Sequence, residues 1–308
     1  MRFISTLAVA AWLSAAAPVQ SVPSILFVGN SFTYGAGSPV MFYRADGVTD
    51  LNNGGLGGVP ALFKSFSTQA GMTYAVSLET QPGSGLEFHL NNRLALIDRK
   101  WDTVVMHGQS TLDFDKPRDP AKLIATTRQM SDVLRKQNAD VRIYLTSTWS
   151  RADQTYTPDG AWAGKPIEAM ADDVRAAYNQ AAVAPGVVAV IPVGQAWTRA
   201  MHAGVADPNP YDGIEFGKVN LWTNDQYHAS TYGYYLEALM VFGTVTGRDP
   251  RSLGDTECSG FELGMTRPQV KALQQVAFDQ LSTEGQVKAA ASSSSQPSST
   301  AARCSFGR

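Results

Sequence analysis

The stretch Ser24-Ile25-Leu26-Phe27-Val28-Gly29-Asn30-Ser31 decides the fold. Four apolar residues in a row, closed by Gly-Asn-Ser, read as a short strand buried on both faces that runs into a tight turn. A strand with one wet face would alternate apolar with polar, and this one does not. Similar signals recur downstream: residues 74–78 alternate, and 101–106, 141–145 and 187–193 read as further strands. Helical spacing fills the gaps. It runs over residues 60–70 (Leu62, Phe63, Phe66), 121–137 (Leu123, Ile124, Met130, Val133, Leu134 on one side), 167–184, 195–203, 231–246 and 268–282. Strand followed by helix, repeated, predicts the α/β class: a three-layer α/β/α sandwich around a central parallel sheet.

Composition narrows what such a domain does. The chain has 308 residues, of which 25 are basic and 27 acidic, a formal charge of −2, and 44% are hydrophobic. That balance supplies no basic field for nucleic acid and no polybasic membrane anchor. Arg2 is followed by an apolar and small-residue run over residues 3–17 and by Ala15-Ala16-Ala17-Pro18. This pattern predicts a signal peptide over residues 1–20, a mature chain starting between residues 18 and 23, and a secreted or periplasmic protein with no membrane association after cleavage. An Ala/Ser run begins at residue 289 and carries too little apolar surface to order itself, so the expected organisation is one domain over 24–282 and a disordered tail over 283–308. Cys258 and Cys304 are permitted to pair in an oxidising compartment, and the sequence leaves that pairing open. No C-x-x-C occurs and the four histidines, His89, His107, His202 and His228, are scattered, so no metal site is expected.

Ligands of open parallel sheets bind beyond the C-terminal ends of the strands, which directs attention to the turns there. Gly29-Asn30-Ser31-Phe32-Thr33 follows the first strand and Gln81-Pro82-Gly83-Ser84-Gly85-Leu86 the second. His107-Gly108-Gln109-Ser110 and Thr146-Ser147-Thr148-Trp149 follow the next two, and Asn224-Asp225-Gln226-Tyr227-His228 precedes a late helix. Singly, each has an ordinary reading: Ser31 or Asp225 as a helix N-cap, Gly83 and Gly85 as turn formers, His228 as a first-turn helix residue, His89 and His107 as hydrogen-bonded structural residues. Together they hold the parts of nucleophilic acyl transfer, namely a hydroxyl, an imidazole base, a carboxylate to orient it and oxyanion donors.

These blocks resemble those of the SGNH, or GDSL-like, hydrolase superfamily. Gly29-Asn30-Ser31 resembles the Gly-Asp-Ser motif with Asn for Asp, Asp225-x-x-His228 matches Asp-x-x-His, Gly83-Ser84-Gly85-Leu86 is similar to the glycine block, and Gly108-Gln109 stands where Gly-x-Asn is usual. The likeness spans about residues 24–250 and is nearest an exported branch grouped with carbohydrate esterases. It implies the flavodoxin-like SGNH sheet and a serine esterase with Ser31 as nucleophile, His228 as base and Asp225 as its orienter. It also implies an oxyanion hole from Ser31, Gly83 and Gln109, and no metal or organic cofactor. Flat aromatics and polar residues near these turns, Asn30, His107, Ser110, Trp149, Trp222 and Tyr227, are the candidate substrate contacts. The expected partner is a small-molecule or glycan ester, with the oligomeric state open. The alternative is a carbohydrate-binding protein on the same fold that lost turnover through the altered Gln109 block.

Overall fold

A computed structural model describes residues 21–288. The expected signal peptide, Cys304 and residues 289–308 lie outside the described residues, whereas residues 283–288 of the expected disordered tail are ordered: Gln286 Nε2 donates to Val190 O at 2.9 Å and Val287 is buried in the core. Among the described residues no helix is long and apolar enough to cross a membrane.

Six strands form one parallel sheet in the order β2-β3-β1-β4-β5-β6. They are β1 (Ser24–Gly29), β2 (Thr49–Asp50), β3 (Ala75–Thr80), β4 (Thr103–Met106), β5 (Arg142–Ser147) and β6 (Val187–Pro192). The helices are α1 (Ser31–Tyr34), α2 (Gly58–Gln69), α3 (Leu86–Asn92), α4 (Leu94–Ile97), α5 (Ala121–Gln137), α6 (Ala152–Thr155), α7 (Glu168–Ala181), α8 (Val193–His202), α9 (Thr231–Thr246), α10 (Cys258–Glu262) and α11 (Arg267–Thr283). Cys258 is disulfide-bonded. The three-layer parallel α/β sandwich is therefore as the sequence predicts, with α5 and α9 on the predicted residues.

The pleat of β1 shows why the sheet must be covered twice. Ile25 and Phe27 point into a core shared with α2, α8, α9 and α11, whereas Leu26 and Val28 point into a second core shared with α5 and α7. Helix α9 is apolar almost all round because it lies within the first core, where Tyr234, Tyr235, Leu236, Leu239, Met240 and Phe242 are all fully buried.

The chain leaves β1 towards β3 on one side and later enters β4 on the other. The C-terminal ends of β1 and β4 thus form the topological switch point, the place where this kind of sheet opens a crevice. The β1, β3 and β4 turns singled out in the sequence all meet there.

Candidate active site

Ser31 opens α1 and is buried, 4% exposed, directly after β1. The turn needs Gly29, because a Cβ there would stand 2.1 Å from Thr33 Oγ1 and 2.5 Å from His107 Nε2, atoms that are themselves hydrogen-bonded at 2.7 Å. Asn30, not Ser31, is the N-cap: its Oδ1 accepts from Phe32 N–H at 3.1 Å. Its Nδ2 donates to Ser84 O at 2.8 Å and to Gly108 O at 3.3 Å. One amide therefore ties the Ser31 turn to the β3 and β4 turns. Tyr234 Oη adds a bond from α9 to Ser31 O at 3.3 Å.

The late block is a tight loop closed by a Trp222–Ala229 antiparallel bridge and by Thr223 N–H donating to His228 O at 2.8 Å. His228 precedes α9, whose N-cap is Ser230, so Asp225 and His228 serve the helix neither as cap nor as first turn. His228 Nδ1 lies 2.6 Å from Asp225 Oδ2, while Asp225 Oδ1 accepts from Thr223 Oγ1 and from the N–H groups of Tyr227 and His228. Partial burial would raise the Asp225 pKa, but these bonds outweigh it and hold the carboxyl at about 2. An ionised Asp225 accepting Nδ1–H leaves His228 Nε2 as the basic nitrogen, and among the described residues that nitrogen has no hydrogen-bond partner. Ser31 Oγ likewise makes no hydrogen bond among the described residues.

The imidazole reaches the Ser31 turn through aromatic packing. Its ring lies edge-on to Phe32, the residue after Ser31, at 5.7 Å between centroids, and 4.1 Å from the Tyr227 ring. Beneath Phe32, Trp149 stacks at 4.0 Å and Trp197 stacks on Trp149 at 4.7 Å. Trp149 Nε1 donates to Tyr227 O at 3.2 Å, and Trp222 Nε1 to Ser150 O at 3.0 Å.

This packing corrects four expected substrate contacts. Trp149 and Trp222 are 0% and 1% exposed and carry the loop from below. His107 is buried between Thr33 and Gly108 O, and burial pushes its pKa down to about 4. Asn30 has its acceptor and both amide hydrogens engaged. Sequence places these residues beside the turns but does not show that their side chains point inward. Tyr227 remains partly exposed, and its face carries the Arg151 guanidinium at 3.6 Å.

Gln109 is held with its carbonyl turned inward. Oε1 accepts from Thr111 N–H at 2.7 Å, Thr111 Oγ1 at 3.0 Å and Ser110 Oγ at 3.3 Å, so the two Nε2 hydrogens have no partner among the described residues. Nor does any described group take up the N–H of Ser31 or of Gly83, whose φ of +68° presents an exposed turn. Arg151 Nη1 donates to Ser110 Oγ at 3.2 Å, and its Nε and Nη2 form a fork with Asp153. Sequence reading missed Arg151, although its position just after β5 is the signal that exposed the other turns. It also missed Tyr211 and Tyr156, half-exposed rings 6.1 Å apart, the first of them close enough to Asp153 and Asp225 to feel their charge. Among the described residues no group of three or more His, Cys, Asp or Glu side chains could hold a metal ion.

Solved structures repeat this architecture. A DUF4886 family protein from Bacteroides uniformis superposes with a TM-score of 0.60 at 17% identity, over 87% of this chain and 98% of that one. The chain has the SGNH hydrolase fold. A GDSL-like lipase from Parabacteroides merdae (TM-score 0.50, 16% identity, 75% of this chain and 98% of that one) and a mutant acetyl-xylooligosaccharide esterase from Geobacillus (TM-score 0.50, 16% identity, 74% and 96%) share it. No protein-family model and no curated protein sequence matches the chain. The fold that the four short blocks imply is thus shared with these structures over 74–87% of the chain.

Proposed function

We propose that the protein is an exported serine esterase whose triad is Ser31, His228 and Asp225. The observation that supports it most is the 2.6 Å Asp225–His228 pair, because it fixes one tautomer and leaves Nε2 as a base beside the Ser31 turn. Ser31 Oγ attacks the ester carbonyl and gives its proton to Nε2. The ester C–O bond breaks, the alcohol leaves with that proton, and water releases the acyl group by the reverse assignment of roles. The N–H groups of Ser31 and Gly83 and the Gln109 amide hold the oxyanion.

Gln109 in the usual Asn position suits that role because its inward carbonyl is anchored three times, which directs the amide hydrogens. The substrate we assign is an acetylated extracellular glycan. Tyr156 and Tyr211, 39% and 49% exposed, offer flat faces for sugar rings. Purified protein and its Ser31→Ala variant should differ at least about 10³-fold in p-nitrophenyl acetate hydrolysis. Equal rates would remove the triad and bring forward the glycan-binding alternative.

A further inference from the structure

A second histidine–carboxylate chain lies buried beneath the β3 turn, outside the triad. Glu79 stands near the end of β3, paired in register with Val28 of β1, and is 0% exposed. His89, on α3 and also 0% exposed, donates from Nδ1 to Glu79 Oε2, and its Nε2 lies 3.3 Å from Ser84 Oγ. Asn52 Nδ2 approaches Glu79 Oε1 at 3.4 Å and Arg93 Nε lies 3.9 Å from the same oxygen. A buried imidazole, locked at one nitrogen by a carboxylate, thus ends on a serine hydroxyl in the Gly83 turn.

The order of atoms is that of a Ser-His-Glu triad, but the surroundings oppose a second nucleophile. The one Ser84 Oγ proton is shared between Gln81 O at 3.0 Å and His89 Nε2 at 3.3 Å, and the Glu87 carboxylate folds over Gly85, within 2.4 Å of where a Cβ would stand there. A negative charge at that place repels a developing oxyanion.

The rest of the turn shows what the chain holds. Ser84 O accepts from Asn30 Nδ2, and Gln81 N–H donates to Gly29 O at 3.0 Å, so the turn is fastened to the Ser31 side by its backbone. Its other side is fastened through Ser84 Oγ to His89. Gly83 between these fastenings is exposed, with a left-handed φ of +68° and no partner for its N–H among the described residues, and nothing lies within 4 Å of a Cβ placed on it. Packing therefore does not hold the glycine; hydrogen bonds at its neighbours do.

We infer that Glu79, His89 and Ser84 form a buried strut that aims the Gly83 N–H into the oxyanion hole, making them positioning residues for the reaction. The inference rests on the serine-esterase reading of the site. A donor aimed at developing charge acts in the transition state, so loosening the strut lowers kcat and leaves KM nearly unchanged.

Ser84→Ala tests this at a partly exposed position, where the backbone carbonyl that binds Asn30 is kept. The expected result is a kcat on p-nitrophenyl acetate lower by about tenfold with KM within about twofold, a modest share of the loss for a whole donor. Amide hydrogen exchange at Gln81 and at residue 84, whose N–H groups are bonded, should be faster. Ser84→Thr, which restores the hydroxyl, should bring both readouts back towards wild type. Wild-type kcat and wild-type exchange in Ser84→Ala would overturn the strut. If wild type and Ser31→Ala hydrolyse the ester equally, the esterase reading fails instead, and exchange alone decides: unchanged protection in Ser84→Ala overturns the strut.

Discussion

The molecule carries two histidine–carboxylate pairs, and they differ in what surrounds them. Asp225–His228 sits on the rim, with side chains 47% and 17% exposed, on a loop held from below by Trp149. Glu79–His89 is wholly enclosed between β3 and α3, with both side chains at 0%. The rim pair leaves one imidazole nitrogen unoccupied, whereas the interior pair has both nitrogens engaged. A base that must accept and return a proton needs a free nitrogen facing the crevice; a strut needs both ends tied. On the proposed reading, exposure and the partner of the second nitrogen separate the roles of the two pairs.

Substitutions should split the pairs between kinetics and stability. The largest effect falls on the rim: His228→Ala should lower kcat by about 10³-fold or more, with the unfolding midpoint in urea nearly unmoved. Activity retained in that variant breaks the comparison at its first term.

At the interior pair the loss is thermodynamic. Glu79→Leu removes the acceptor of a buried imidazole and should cost about 3 kcal/mol of stability, read from urea unfolding. A loss no greater than that of Asp225→Asn would show that burial does not separate the pairs. Asp225→Asn should lower kcat by roughly 10²-fold, yet change stability by less than about 1 kcal/mol because its carboxylate is half in water.

A third imidazole sharpens the distinction. His107 is buried without any carboxylate, and its pKa of about 4 lies below the ordinary 6.5. The unfolded chain therefore takes up the proton first. This contribution is complete above pH 6.5 and is lost as pH falls through about 4, with an upper size on the order of 3 kcal/mol. Urea midpoints at pH 7 and pH 4.5 should differ less in His107→Gln than in wild type; an unchanged difference would assign the acid sensitivity elsewhere.

Much of the fold was legible because long elements repeat a period. Residues 121–137 and 231–246 are helices at those bounds, and the buried runs became β1, β4, β5 and β6. Two-residue β2 and seven-residue α3 were not legible, since an edge bridge and the mostly polar LEFHLNN carry too few turns of any pattern. In the site, Asp225 and His228 could be read because their contact is local, across a three-residue loop. Trp149 and Trp222 misled because neighbourhood in sequence does not give side-chain direction. Glu79–His89 was hidden for a related reason: a strand end and a helix face meet only once the β3 turn has folded.

Every role proposed for the crevice depends first on Ser31 being the nucleophile. A fluorophosphonate probe followed by peptide mass spectrometry tests this directly on the purified protein. The expected result is one probe mass on the peptide containing Ser31, lost in Ser31→Ala and strongly slowed in His228→Ala. Labelling of Ser84 in place of Ser31 would reverse the roles given to the two pairs, and no labelling at all would contradict the esterase.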